Sequence, residues 1–294
     1  METRIAEFEN YLEKEKKMAV NSLKAYGRDV RDFAKFLMEK GFDDFGDAGN
    51  AAVVSYILYL GKSGLSSSTV NRKTAAVRTL YRFLVKRGYA EENPAEDIRT
   101  PKIEKKSVEY LSIEETERLL EQPDDSVKGR RDRAMLELMY ATGMKVSEIV
   151  EADLDDINLK MGFIACGDDD KNMRIIPMGS LCREAMRIYL ENSREELAAD
   201  SEQKAIFVNV NGERLTRQGV WKIIRGYAAK AGIEKKITPQ VLRHSFAIHM
   251  IQNGADVKSL QEMLGHADAA TTQMYLRAAG NDIKSVYEKS HPRA

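Results

Sequence analysis

Apolar residues in the first hundred positions recur at helical spacing. Phe8 and Leu12 open the pattern, and Leu23, Tyr26, Val30, Phe33, Phe36 and Leu37 continue it. Gly41 closes that segment, as a glycine after a helix does. A second apolar helix is predicted over residues 51–60. Ser66-Ser67-Ser68-Thr69 offers N-cap side chains for a third. Val70, Ala76, Val77, Leu80, Tyr81 and Leu84 mark its buried stripe, and Gly88 ends it. No alternating pattern interrupts these runs. Residues 1–100 therefore read as a small helical bundle.

The pattern then breaks. Asn93-Pro94 and Thr100-Pro101-Lys102-Ile103-Glu104-Lys105-Lys106 are polar, charged and punctuated by proline. A linker is expected over 101–109 and a second domain over 110–294. Ser112 and Glu115 have capping-box spacing, and helical periodicity runs through 134–140 to Gly143. Between 156 and 177 the period changes. Ile157, Leu159, Phe163, Ile164 and then Arg174-Ile175-Ile176-Pro177 predict short strands around a polar hairpin. From Leu181 the chain is helical again, except at Ile206-Phe207-Val208, with a turn signal at Asn211-Gly212. The fold class is mainly α with a small antiparallel β-sheet.

Composition adds exclusions. Of 294 residues, 43% are hydrophobic and 31% charged, enough apolar mass for real cores. No apolar run has membrane-spanning length. The acidic first ten residues lack a signal-peptide core, so a cytoplasmic protein is expected. Cys166 and Cys182 form no disulfide framework and no metal-ligand spacing, so no metal or cofactor is expected. Formal net charge is zero, which hides distribution. Between 61 and 90 stand Lys62, Arg72, Lys73, Arg78, Arg82, Lys86 and Arg87, with no acidic residue. Such a field neutralises phosphates. It can equally be the solvated face of a helix.

Four segments carry candidate chemistry: Ala141-Thr-Gly-Met-Lys-Val-Ser-Glu148, Gly167-Asp-Asp-Asp-Lys-Asn-Met-Arg174, Thr238-Pro-Gln-Val-Leu-Arg-His-Ser-Phe246 and Leu264-Gly-His-Ala-Asp-Ala-Ala-Thr-Thr-Gln-Met-Tyr275. Singly each is weak. Together and in this order they resemble the tyrosine-recombinase (phage-integrase) family, Xer-like members above all. The resemblance covers nearly the whole chain, including the tail His291-Pro-Arg-Ala294. It implies an N-terminal helical, SAM-like core-binding domain and a C-terminal catalytic domain. It implies DNA recombination or integration by metal-free phosphoryl transfer, through a 3′-phosphotyrosyl intermediate. It also implies double-stranded DNA as partner and a homo- or hetero-tetramer joined through the C-terminal segment, where Ile283, Val286 and Tyr287 stand. Lys62, Arg72, Lys73, Arg78 and Arg82 then become candidate DNA contacts.

Carried over residue by residue, the match is partial. Tyr275 takes the nucleophile position, Arg243 the second arginine and His266 the second histidine. Lys145 stands where the family has its first arginine; the charge survives but the bidentate fork does not. Gln240 stands at the first histidine. An amide donates a hydrogen bond but shuttles no proton. The family's hairpin lysine aligns with Asp168, in a hairpin one residue longer, and Lys171 is the candidate substitute.

Two functions follow from this partial match: a recombinase with a degenerate site, or an inactive paralogue that is an architectural or regulatory partner of an active recombinase. A helical enzyme of another class would lack salt-dependent DNA binding. Among supporting residues, Ser147-Glu148 reads as a structural polar pair. His244 reads as buried and hydrogen-bonded, and Trp221 as packed within its helix.

Overall fold

The computed structural model describes residues 1–100, 107–167, 173–198, 200, 202–265 and 269–280, with backbone alone for 269–271. It divides into two units, residues 1–106 and 107–294. Residues 101–106, most of the expected linker, lie outside the described residues.

The first unit is helical throughout its described residues: α1 (Glu2–Lys14), α2 (Val20–Glu39), α3 (Asn50–Lys62) and α4 (Ser67–Lys86), with a short 3₁₀ turn at Phe45–Asp47. Ser66 starts α4 by accepting the Thr69 N–H at 3.3 Å. Phe8, Leu12, Val30, Phe33, Leu37, Phe45, Tyr56, Val77, Leu80 and Leu84 form its core. Tyr81 is buried there too, and its hydroxyl lies 3.0 Å from the Phe45 carbonyl and 3.2 Å from that of Ala48.

Much of the basic run is used inside this unit. Lys73 is buried, with Nζ 3.3 Å from Asp29 and 2.5 Å from Asp32 of α2. Arg72 also pairs with the buried Asp29. Arg78 donates to the carbonyls of Ala95 and Ile98 at 3.0 and 2.9 Å. Arg82 pairs with Glu96, and Lys86 and Arg87 share Glu15. The acids missing from the run arrive from other parts of the chain, so the local positive field is smaller than the sequence suggests. Lys62 is exposed at the end of α3.

The second unit opens with α5 (Ile113–Leu120), α6 (Val127–Thr142) and α7 (Val146–Glu151). Ser112 and Glu115 form the expected capping box at 2.8 and 3.1 Å. The antiparallel sheet follows, in the order β1 (Ile157–Asn158), β2 (Phe163–Cys166), β3 (Arg174–Pro177). Its register pairs Ile164 with Ile176 and Cys166 with Arg174, facing the apolar pair to the core. Residues 168–172 of the hairpin lie outside the described residues. Then come α8 (Ser180–Asn192), α9 (Arg194–Leu197), α10 (Arg217–Lys230), α11 (Pro239–Gln252), α12 (Val257–Leu264) and α13 (Ala269–Ala278). Ile206-Phe207-Val208 is buried but joins no ladder; only the isolated bridges Asp153–Ala205 and Val208–Arg214 form around it. Among the described residues, no helix is long and apolar enough to cross a membrane.

Helix α6 is buried on most sides, its polar residues Arg131, Asp132 and Glu137 included. It packs against α8 and α11. His249 of α11 locks the entry of the unit to this centre. Its Nε2–H donates to the Leu111 carbonyl at 2.9 Å, and its Nδ1 accepts from the Tyr140 hydroxyl at 2.9 Å. The neutral ring satisfies both partners in this way. Burial also lowers the His249 pKa below its ordinary 6.5, and lowers that of His244.

Proton uptake by these rings therefore favours the unfolded chain. Their contribution to stability is complete above about pH 6.5, the unfolded-state value, and is lost as pH falls through the depressed folded values. Thermal melting should show a midpoint that drops between about pH 7 and pH 5. The limiting slope is about 1.4 kcal/mol per pH unit for each ring. The drop should be shallower in His249→Gln; an unchanged slope there would contradict the assignment.

Candidate active site

Thr238 accepts the Val241 N–H at 3.3 Å and Pro239 occupies the first turn, so α11 begins just ahead of Arg243. One turn in, the Arg243 side chain points inward and is 3% exposed. Its Nη1 donates to the Gly143 carbonyl at 2.7 Å and its Nη2 to the Leu264 carbonyl at 2.6 Å. These are the last carbonyls of α6 and α12, which have no helical partner of their own. Gly143 adopts φ +61, and a Cβ there would lie 2.3 Å from the Phe246 ring. Only glycine lets α6 end so close to α11.

Tyr275 sits on α13, 1% exposed, hydrogen-bonded by the Arg243 guanidinium. Burial raises its phenol pKa, and the Arg243 charge pulls it partly back. The His244 ring meets the tyrosine edge to face, with centroids 5.6 Å apart. His244 Nδ1 lies 3.2 Å from the Glu109 carbonyl, and its Nε2 lies 2.9 Å from Gln240 Nε2. An amide nitrogen can only donate. His244 Nε2 is therefore the acceptor, and the proton sits on Nδ1. His244 is half-buried and hydrogen-bonded, as the sequence suggests; its contact with Tyr275 is an addition.

Lys145 caps the start of α7. Its N–H donates to Glu148 Oε2 at 2.7 Å, while its half-exposed Nζ stays 3.8 Å from Oε1. Glu148 is buried and held chiefly by Arg174 of β3, which donates to both oxygens at 2.9 and 2.8 Å. Arg174 Nε donates to the Met263 carbonyl at 2.7 Å. A Cβ on Gly265, at φ +63, would meet this guanidinium at 2.9 Å. Burial alone would raise the Glu148 pKa. Hydrogen bonds from Arg174 and the Lys145 backbone outweigh it and hold the group below its ordinary value.

A cavity of about 250 Å³ opens beside these residues, lined by Lys145, Arg217, Trp221, Thr238, Gln240 and Arg243 among others. Lys145, Gln240 and Arg243 thus share one cavity, and Tyr275 joins them through Arg243. Trp221 corrects the sequence reading: it is 37% exposed and walls this cavity instead of packing within the unit. His266, Lys171 and Asp168 lie outside the described residues, as do Ile283, Val286 and Tyr287. Sequence reasoning passed over Arg174, read only as a strand residue, and Arg217, whose sole signal was a cation opening a helix.

Removing Arg174 should leave the Glu148 carboxylate buried and largely uncompensated, a loss of about 3–5 kcal/mol. Urea denaturation of Arg174→Ala should show that loss. Arg174→Met combined with Glu148→Met should recover much of it, since the apolar pair strands no charge. A double variant as unstable as the single one would contradict this account.

With this geometry in view, comparisons with known proteins become specific. The phage integrase family matches residues 109–281, and the phage integrase N-terminal SAM-like domain matches residues 5–88. The chain is 40% identical to tyrosine recombinase XerD of Staphylococcus epidermidis, over 100% of both chains. It is 37% identical to tyrosine recombinase XerD of Staphylococcus aureus, again over 100% of both. Among solved structures, XerA recombinase is 27% identical with a TM-score of 0.56, over 100% of this chain and 99% of that one. The Tn1549 transposon integrase in complex with a circular-intermediate DNA reaches a TM-score of 0.77 at 16% identity, over 99% of each. XerH bound to palindromic difH substrate reaches 0.74 at 22%, over 98% of this chain and 84% of that one. The last two likenesses speak for the fold alone. On the family matches and the full-length identity, this chain belongs to the phage integrase family, the tyrosine recombinases.

Proposed function

We propose that the protein binds double-stranded DNA and breaks and rejoins it at a specific site through Tyr275, slowly. Tyr275 Oη gives up its proton as it bonds to the scissile phosphorus, the P–O5′ bond breaks, and the 5′-oxygen takes up a proton; rejoining reverses these steps. Arg243 meets the charge on the non-bridging oxygens with the N–H groups its carbonyl partners leave over. Lys145 adds charge without a fork. Gln240 contributes a hydrogen bond only. His266 takes the second-histidine role and Lys171 the hairpin-lysine role.

The observation that carries this reading is the Arg243–Tyr275 hydrogen bond beside the cavity that Lys145 and Gln240 line. The relatives support it: the staphylococcal proteins are named tyrosine recombinases, and XerH is described bound to its difH substrate. On the same reading, the first unit is the core-binding domain. The solvent-facing atoms of Lys62, Arg72 and Arg82 contact phosphates, while Lys73 and Arg78 brace α4 from within. Four copies, of this chain alone or with an active partner, assemble on two DNA sites through the C-terminal segment.

Slowness follows from magnitudes. A missing general acid costs about 10²–10⁴ in rate. A weakened charge-stabilising donor costs up to about 10²–10³ more, and the two need not add fully. Tyr275 is also fully buried, so α13 must shift before the phenol can reach a phosphate.

A nicked suicide duplex carrying candidate recombination sites, resolved on a denaturing gel, tests this reading. Wild type should form a slow covalent adduct that is absent from Tyr275→Phe. Gln240→His should accelerate it by at least about tenfold. An adduct seen only after Lys145→Arg and Gln240→His are combined would assign the native chain to the architectural role.

A further inference from the structure

The cavity beside Lys145 holds a cation that the family pattern does not account for. Arg217 is the first residue of α10, whose N-cap Thr216 accepts the Gly219 N–H at 3.0 Å. Its side chain is exposed and lines the same cavity as Lys145, Gln240 and Arg243. Among the described lining residues there is no carboxylate. Thr238, Pro239 and Gln240 bring the N-terminus of α11 to the same space. The first turns of two fourteen-residue helices thus border one cavity.

A cation at a helix N-terminus opposes the helix dipole. Here Arg217 stands at the first position of α10, beside the cavity that Lys145 also lines. Such a placement is unfavourable in the empty protein and becomes favourable once an anion sits between the cations and the N–H groups. Trp221, one turn along α10, forms the adjoining wall. Arg225, one turn further, lies over its ring, with Cζ 4.6 Å from the centroid. That stacking holds the indole in place and so fixes the wall beside Arg217.

We propose that Arg217 is a phosphate-contacting residue, whose guanidinium supplies from α10 the second bidentate fork that Lys145 cannot supply from α7. Trp221, held by Arg225, is a positioning residue for it. The proposal rests on reading this cavity as the seat of the scissile phosphate.

Trp221 is the one tryptophan in the chain, so its fluorescence reports on the cavity directly. The full chain is titrated with inorganic phosphate at constant ionic strength, with calorimetry in parallel. Wild type should saturate. Arg217→Gln should weaken phosphate binding by about tenfold or more, the effect of losing a hydrogen bond to a charged group. Arg217→Lys should fall between, keeping the charge without the fork. Lys145→Gln should also weaken binding. Arg187→Gln, remote on α8, should titrate like wild type. The exposed Arg217 variants should melt at the wild-type temperature. If Arg217→Gln binds like wild type while Lys145→Gln does not, the cavity reading stands and the role of Arg217 is refuted. If wild type shows no saturable binding by either method, the cavity reading fails and takes the proposal with it.

Discussion

Arg243 is a cation taken out of water, and the order of the catalytic unit depends on what it finds there. Burying a guanidinium without partners costs several kcal/mol. The partners available are the terminal carbonyls of α6 and α12, at Gly143 and Leu264, and the phenol of Tyr275. Helix C-termini carry partial negative charge and orphan acceptors, so the two deficits cancel. The need is reciprocal. Four helices, α6, α11, α12 and α13, are brought to one point by a single side chain. The left-handed Gly143 is a consequence of that convergence, because Phe246 occupies the volume a side chain would need.

The same reasoning explains how the chain accommodates lysine at position 145. The buried Glu148 beside it needs a strong partner, whichever residue precedes it. Arg174 meets that need with two hydrogen bonds, and a third reaches the Met263 carbonyl. The Lys145 ammonium, half-exposed and 3.8 Å away, adds little to the pair. Stability of this corner therefore rests on Arg174, and residue 145 is released from structural duty. Arg174 also sets the floor under Gly265, the residue that closes α12.

What was legible in the sequence was local. Ser66, the Ser112–Glu115 box and Thr238 act on backbone groups three residues away, and each caps the helix that its pattern implies. The strand pairs around the hairpin follow from a change of period. The fate of the basic run was not legible, because its acids come from elsewhere: Asp29 lies 43 residues from Arg72, and Glu15 lies 71 from Lys86. Trp221 and Arg217 were opaque for a related reason. Helical spacing says which residues share a face, but not that this face of α10 borders a cavity built from α7 and α11. Ile206-Phe207-Val208 has the composition of a strand, yet only isolated bridges form at its margins.

On the proposed reading, Lys145 and Gln240 also change which groups can supply a proton. With Gln240 Nε2 against it, His244 Nε2 is an acceptor and the ring is neutral. Its depressed pKa keeps it so near neutral pH. Neither residue of the pair can then hand a proton to a departing 5′-oxygen. Arg217 and Arg243 cannot either, because a guanidinium does not give up its proton in a protein. Among the described residues that line the cavity, Lys145 alone carries an ammonium. An arginine there offers geometry and no acidity; a lysine offers acidity and no fork. On the proposed reading, the residue that gives the phosphate no fork is therefore also the one amine among the described residues that border it.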